Sequence, residues 1–328
     1  MSINKAPAIW VPSRRPIVLN GNVSGRMEGR YKFTVRRPDG EVRLETGWSK
    51  NLITNTGMDN FAKTSDWDRY CYVGTGNTAP ANTDTSLTTP VVGGVTDTTT
   101  GPDTRDHVFD GTEGYHRLIR TFRFDIGDAE GVLAEVGVGP TASTLTSRSL
   151  ITDGGGTPTT ITVLSDEILD VTYEFRVWHG QDTATTSTIT LDSVLYNTTL
   201  RWLQVASTPD PGVTNIWDVR RTGATPGVGA RDTTPPTNWT DNWTGASSPA
   251  ETATKAAYVD GNHYQDFACV WDYTRANYTD GIKGIYFSHD WNLASMAFEN
   301  DADNTKGILK DNTQELTLNW RWSWARKA

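Results

Sequence analysis

The chain has 328 residues, 30 Lys+Arg against 39 Asp+Glu for a formal net charge of -9, 36% hydrophobic residues and two cysteines. That length suits about two domains, each able to bury a core of its own. Two cysteines exclude a disulfide framework and a multi-Cys zinc site. The acidic balance excludes a protein that grips nucleic acid over most of its surface, and no apolar run approaches the roughly 20 residues that cross a bilayer.

The start, Met-Ser-Ile-Asn-Lys-Ala-Pro, lacks a charged region followed by an apolar one, so no secretory signal is expected. Residues 1–50 hold ten basic side chains, among them Arg14, Arg15, Arg26 and Arg30, against four acidic ones. A basic arm on an acidic body is a docking device for an acidic partner. The plainer reading, of equal weight, is a solvated hairpin face. Tyr31–Val35 alternates, turns at Pro38-Asp39-Gly40 and returns as Glu41–Glu45, which predicts a hairpin.

Helical periodicity is confined to Gly57–Phe61 and its flanks. Period-two strands are predicted at Thr121–Asp125, Ile161–Leu164, Ile168–Trp178 and Ile189–Leu195. Between them lie Thr-, Gly-, Asp-, Asn- and Pro-rich spacers at Gly74–Thr89, Thr96–Asp106, Gly154–Thr160 and Thr222–Thr237. Short strands with polar turn-rich spacers predict an all-β, jelly-roll-like sandwich.

Sliding the chain against itself by 147 residues aligns Gly114 with Gly261, His116 with His263, and Phe124-Asp125 with Trp271-Asp272. Leu169, Val171, Tyr173, Phe175 and Val177 then fall on Leu316, Leu318, Trp320, Trp322 and Trp324. A slip of one residue would reverse every one of these faces, so the agreement carries weight. The expected organisation is a basic arm and hairpin (1–50), a first β-sandwich copy (51–180), a linker or strand (181–196) and a second copy (197–328). Chance similarity between two β-rich halves is the competing reading. A duplicated β module lets one chain occupy two quasi-equivalent places in a symmetric assembly.

Reactive constellations are lacking. The five histidines form no His-x-His or His-Glu-x-x-His pattern, and no Cys-x-x-Cys occurs. His116 and His263 occupy matching places, which predicts a shared structural role. Cys71 and Cys269 sit in apolar strand contexts and read as buried thiols. A disulfide between them is the alternative. Gly74–Pro80 lacks the Gly-Lys-Ser/Thr and following helix of a phosphate loop, and Asp301–Gly307 departs from a calcium loop at its Gly and Glu positions, so it reads as a turn. No catalytic, cofactor-binding or metal residue is assigned, and no enzymatic activity is expected.

Tryptophan is over-represented at thirteen residues, nine of them after residue 200. Trp320, Trp322 and Trp324 alternate on one face. Burying one indole, at about 25 cal/mol per Å² over about 150–250 Å², is worth up to ~4–6 kcal/mol, which favours a core or a subunit seam. Trp239 and Trp243 lie instead in a polar loop and are candidate contacts for a protein partner or, second, for a sugar ring.

Asn51-Leu-Ile-Thr-Asn-Thr-Gly-Met58, Val73-Gly-Thr-Gly-Asn-Thr-Ala-Pro80 and Asp84-Thr-x-Leu87 resemble a pattern of tailed-bacteriophage structural proteins. Arg120–Phe124, Ala134-Glu-Val-Gly-Val-Gly139, Ser147-Arg-Ser-Leu-Ile151 and Val171–Arg176 extend the resemblance over about residues 45–178. The second copy follows it only loosely, with Gly281–Ile285 where Glu-Val-Gly-Val stands in the first. The resemblance implies an all-β tail, neck or fibre-base component of the virion, without enzymatic activity and with no catalytic residues to carry over. The expected partners are other virion proteins and further copies of the chain, with residues 1–50 as anchor. A receptor- or glycan-binding tail module using Trp239 and Trp243, a capsid decoration protein, and a polysaccharide-degrading enzyme are the alternatives.

Overall fold

The computed structural model describes residues 16–64, 66–91, 93–96, 104–109, 114–179, 185–191, 193–204, 227–235, 251–289 and 292–328. In chain order the strands are β1 (Ile17–Arg36), β2 (Val42–Glu45), β3 (Ser49–Lys50) and β4 (Leu52–Ile53), followed by helix α1 (Asn55–Lys63). Then come β5 (Tyr70–Gly74), β6 (Val95–Thr96), β7 (Thr104–Phe109), β8 (Gly114–Phe124), β9 (Gly131–Leu133), β10 (Glu135–Gly139), β11 (Ser147–Leu150), β12 (Ile161–Val163) and β13 (Ile168–His179). The rest are β14 (Thr185–Leu191), β15 (Val194–Gln204), β16 (Gly227–Arg231), β17 (Glu251–Thr252), β18 (Thr254–Lys255), β19 (Tyr264–Trp271), β20 (Gly284–His289), β21 (Asn292–Asn300) and β22 (Leu316–Arg326).

The fold is all-β. One large sheet runs β18-β19-β22-β1-β13-β8-β7, with β2 and β3 also on β1. A sheet β4-β11-β10-β5-β6 covers one end of it, and a sheet β14-β15-β21-β20-β16-β17 covers the other. The result is two sandwiches standing side by side on a shared sheet. Their cores are separate. One holds Tyr31, Phe33, Phe122, Phe124, Tyr173 and Phe175, and the other Ile17, Leu19, Trp271, Phe298, Leu316 and Trp320.

Strand β1 joins the halves. Residues 25–36 pair antiparallel with β13, and residues 17–27 pair parallel with β22 on the opposite edge. Its odd-numbered side chains face inward throughout, as the two-residue period requires. Ile17 and Leu19 therefore enter the second core, and Met27, Tyr31, Phe33 and Val35 the first. The expected hairpin forms, with Thr34 opposite Glu45 and Val35 opposite Leu44. The expected separate arm does not, because from Ile17 onward this segment is a central strand of the sheet. Its polar residues fall on alternate positions, which reads as an exposed ribbon until both of its edges are seen to be occupied.

The same strand accounts for the tryptophan strip. Across the parallel ladder Gly21 stands opposite Trp320 and Gly25 opposite Trp324. Trp320 packs in the second core, Trp324 in the first, and half-buried Trp322 touches both. The strip is a seam between two cores of one chain.

The 147-residue offset reappears in the ladders. Leu169 faces Phe124 and Val171 faces Phe122, while Leu316 faces Trp271 and Leu318 faces Cys269. Adding 147 to both partners of the first ladder gives the second. The covering sheets match as well, since β10 pairs with β11 and β5 as β20 pairs with β21 and β16.

Two sequence expectations change locally. Ile189–Leu195 is not one strand: the chain reverses between β14 and β15 at Ser193, whose φ is 68°. Alternation continues through so short a turn and hides it. The cysteines do not pair. Cys71 and Cys269 are free and lie in different cores.

Candidate functional site

Several of the segments that carry the sequence resemblance meet around α1, β10 and β11 of the first sandwich. Helix α1 begins at Thr54, whose Oγ1 accepts the Gly57 N–H at 2.8 Å and donates to the Leu145 carbonyl at 2.6 Å. This is an ordinary helix N-cap fastened to a neighbouring loop. A Cβ on Gly57 would stand 2.0 Å from the Thr146 carbonyl oxygen, so only glycine allows the helix to lie that close.

The Gly74–Pro80 loop wraps a carboxylate. Glu135, fully buried in β10, accepts backbone N–H bonds from Gly76 at 3.2 Å, Thr88 at 3.1 Å and Thr89 at 2.8 Å. Arg148, in the adjacent β11, donates to Glu135 at 2.7 Å and to Asp84 at 2.5 Å. Its remaining N–H groups reach the Thr78 carbonyl and the Thr88 hydroxyl. Burial opposes ionisation of Glu135, but the Thr89 and Thr88 amides and the Arg148 guanidinium outweigh it and hold its carboxyl below the ordinary range. A Cβ on Gly76 would meet the Glu135 carboxylate at 2.4 Å. The glycine-rich loop thus cradles a carboxylate of its own chain where a phosphate loop would cradle a ligand. In the second half the 147-residue offset places Ile282 and Ser295 at these positions, so both members of the ion pair are absent there together.

The outward face of the shared sheet holds the other candidate residues. Arg26 lies on it, between Trp178 of β13 and Ala325 of β22. Arg30 donates to Glu174 at 2.7 Å and its guanidinium sits 4.4 Å from the Trp48 ring centre. Glu174 is fully buried beneath Arg30 and Arg176, and Arg176 in turn lies 4.6 Å over Tyr115. Trp178 donates to Glu28 at 2.9 Å. Arg36 and Arg123 share Asp170 at 2.9 and 2.7 Å. Burial pushes the Asp170 carboxyl up, but the two guanidinium groups bring it below its usual value. Arg43 holds Glu167 and lowers its carboxyl through that hydrogen bond.

Among the described residues, six basic side chains of residues 1–50 pair with acidic groups of this chain: Arg30, Lys32, Arg36, Arg37, Arg43 and Lys50. Three of them, Arg30, Arg36 and Arg43, fasten β1 and its hairpin to Glu174, Asp170 and Glu167 of the acidic body, and the other three pair within the segment. Arg14, Arg15, Trp239 and Trp243 lie outside the described residues. Sequence reading missed Trp48, Tyr115, Glu174, Arg176 and Trp178 as the surroundings of Arg30. The signal was present in the alternate positions of β13, opposite the apolar strip.

The joint between the halves is polar as well as aromatic. Asp59 of α1 accepts from Tyr258 at 2.7 Å and from the Gly261 N–H at 2.8 Å. His263 Nε2 is buried 3.8 Å from the same carboxylate. The Trp324 indole donates to the Met58 carbonyl at 2.9 Å.

Chemically, this arrangement holds strands together. A carboxyl held below its ordinary range by a guanidinium is a poor proton donor near neutral pH, which describes Glu135, Glu167 and Asp170. Burial raises both thiols, Cys269 to about 12, so neither is a nucleophile at neutral pH. Among the described residues no group of three or more His, Cys, Asp and Glu is placed to hold a metal ion. No helix among them is long and apolar enough to cross a membrane. The Asp301–Gly307 segment is a turn closed by its own side chains, with Asp303 accepting from the Thr305 N–H at 3.0 Å. Set against protein-family models, curated proteins and solved structures, the chain matches none of them.

Proposed function

We propose that the chain is a structural component of a tailed-phage virion, placed in the tail, neck or fibre-attachment region and assembled as a symmetric multimer with other virion proteins. Its role is to hold neighbours in place, without catalysis. The observation that carries this reading is the convergence of the phage-like segments on an internal brace. Gly76, Asp84, Glu135 and Arg148, spread over about seventy residues of sequence, meet in a buried ion-pair network that fixes a loop, and Thr54 separately fastens the helix start to the Leu145 carbonyl. Motifs used in this way specify a scaffold.

Two further features support the reading. The shared 147-residue register is what a duplicated module would leave behind, and duplication gives a single chain two quasi-equivalent binding positions in a ring. The stitching of both halves by β1 makes the chain a stiff unit, which suits a part that bears load between neighbours.

A cryo-electron reconstruction of the particles that contain this chain tests the proposal. The expected result is density for the two-sandwich unit, repeated around the symmetry axis of the tail or neck. Particles that lack the chain, or a chain found only free in the host cytoplasm, would overturn it.

A further inference from the structure

The outward face of the large sheet changes character along its width. Adding 147 to five outward residues of the first half, Arg117, Arg123, Asp170, Glu174 and Arg176, gives Tyr264, Val270, Thr317, Arg321 and Ser323 in the second. Five charged side chains become one. On β1, β22, β19 and β18 the outward rows read Asn20, Asn319, Ala268 and Thr254, then Asn22, Arg321 and Asp266, then Ser24, Ser323 and Tyr264. A face of amides and hydroxyls stands out on a chain with 69 charged residues.

This face is concave. A groove of about 460 Å³ lies over Asn20, Asn319, Ala268 and Thr254, and the Arg321–Asp266 pair forms one wall. That volume falls within the range of about 300–1,000 Å³ common to small-molecule sites. The small Ala268 provides the floor. Asn319 donates to Asn20 at 3.3 Å, which orients both amides and leaves each with further donor or acceptor capacity. Arg321 is doubly fixed. It donates to both Asp266 oxygens, at 2.7 and 2.9 Å, and its guanidinium lies 3.5 Å from the Tyr264 ring centre. A polar wall already immobilised loses little entropy when a ligand arrives.

The lining selects a ligand class. Arg321 and Asp266 cancel, so an anionic ligand gains no net attraction and meets a carboxylate. Apolar surface from Ala256, Ala268 and the strands beneath lies beside these polar groups, a mixture that suits the apolar ring face and polar rim of a sugar. Paired amides, a hydroxyl and a rigid guanidinium–carboxylate unit present alternating donors and acceptors along the groove, which match the hydroxyls of a sugar. We propose that this groove binds a neutral oligosaccharide, with Asn20, Asn319, Arg321 and Asp266 as the hydrogen-bonding residues. The inference stands on the groove itself and does not depend on the virion reading.

The test uses the full chain on an array of immobilised neutral oligosaccharides built from glucose, galactose, mannose and N-acetylglucosamine, with sialylated and sulfated glycans beside them. The best neutral glycan is then titrated in solution by calorimetry. The proposal expects a neutral glycan to bind, the Asn20→Ala/Asn319→Ala protein to bind at least tenfold more weakly, and Ala268→Tyr, which fills the groove from an outward position, to abolish binding. Far-UV circular dichroism confirms that each variant is folded, and either variant alone suffices for the comparison. Three results would overturn it: no neutral glycan bound at millimolar concentration, binding confined to charged glycans, or folded variants that bind like the parent. The assembly state of the protein is read separately, so a monomer that binds the glycan refutes only the multimer.

Discussion

Trp324 stands opposite Gly25 across the parallel ladder between the last strand and the first, where a Cβ on Gly25 would lie 3.1 Å from a methyl group of Val177. Gly25 is closed in by β13 at the point where both halves of the molecule meet β1. Substituting Gly25→Val overpacks that seam, and overpacking of this kind costs about 1–3 kcal/mol. Urea unfolding of the variant is expected to show that loss as a single transition at lower midpoint. A variant as stable as the parent would mean that the seam is looser than the geometry indicates.

The Glu135–Arg148 pair should behave as a buried unit. Removing one partner strands the other charge in the interior, at a cost of about 3–5 kcal/mol. Glu135→Gln and Arg148→Met are each expected to destabilise by that order. The double variant, which approaches the uncharged Ile282 and Ser295 arrangement of the second half, is expected to lose clearly less than the sum. A double-mutant cycle by denaturant titration measures the coupling, and additive losses would contradict the pairing.

Acid should unfold the protein through this pair and through two separate ones, Glu167 with Arg43 and Asp170 with Arg36 and Arg123. Glu135, Glu167 and Asp170 all have carboxyl groups below their ordinary values in the folded chain. Each therefore contributes stability that is present above the unfolded pKa of about 4 and is lost as pH falls through the lower folded value. The melting temperature is expected to fall only gently from pH 7 to about pH 5 and to drop steeply below about pH 4. In Arg148→Met the part of this slope due to Glu135 should shrink.

His263 sets a second, milder window. Burial lowers its pKa, Asp59 acts against this and Arg326 adds to it, so the net shift is downward. Its neutral form favours folding above the unfolded value of about 6.5, and that stabilisation declines as pH falls through the folded pKa. His263→Gln is expected to flatten the stability profile between about pH 5 and 6.5. An unchanged slope in calorimetric melts would remove His263 from the joint's pH response.

The two thiols report on whether the halves open together. Cys71 belongs to the first core and Cys269 to the second, and both are buried. With β1 and β22 contributing to both cores, the thiols should become reactive at one common rate. Pulse alkylation read by peptide mass spectrometry separates them. Early labelling of Cys269 alone would show that the second sandwich unfolds by itself.

The sequence made much of this fold legible because strand periodicity survives in isolation. The hairpin at Pro38–Gly40, the strip Leu169–Val177 and its counterpart Leu316–Trp324 are all where alternation placed them. The role of β1 was hidden, since a strand between two partners looks from sequence like a polar-faced ribbon, and its parallel partner lies some 300 residues away. The Glu135–Arg148 brace was hidden for a related reason. Motif residues are visible one by one, but only the folded chain shows that Gly76, Asp84, Glu135 and Arg148 share a single site. The groove of Asn20 and Asn319 carries no motif at all, because its rows run across strands.

The mass of the full chain in solution tests most directly the proposal that it assembles with copies of itself. Mass photometry combined with sedimentation velocity over a wide concentration range should give one closed species at a whole-number multiple of 36.1 kDa. A protein that stays at the single-chain mass at every concentration would contradict the account.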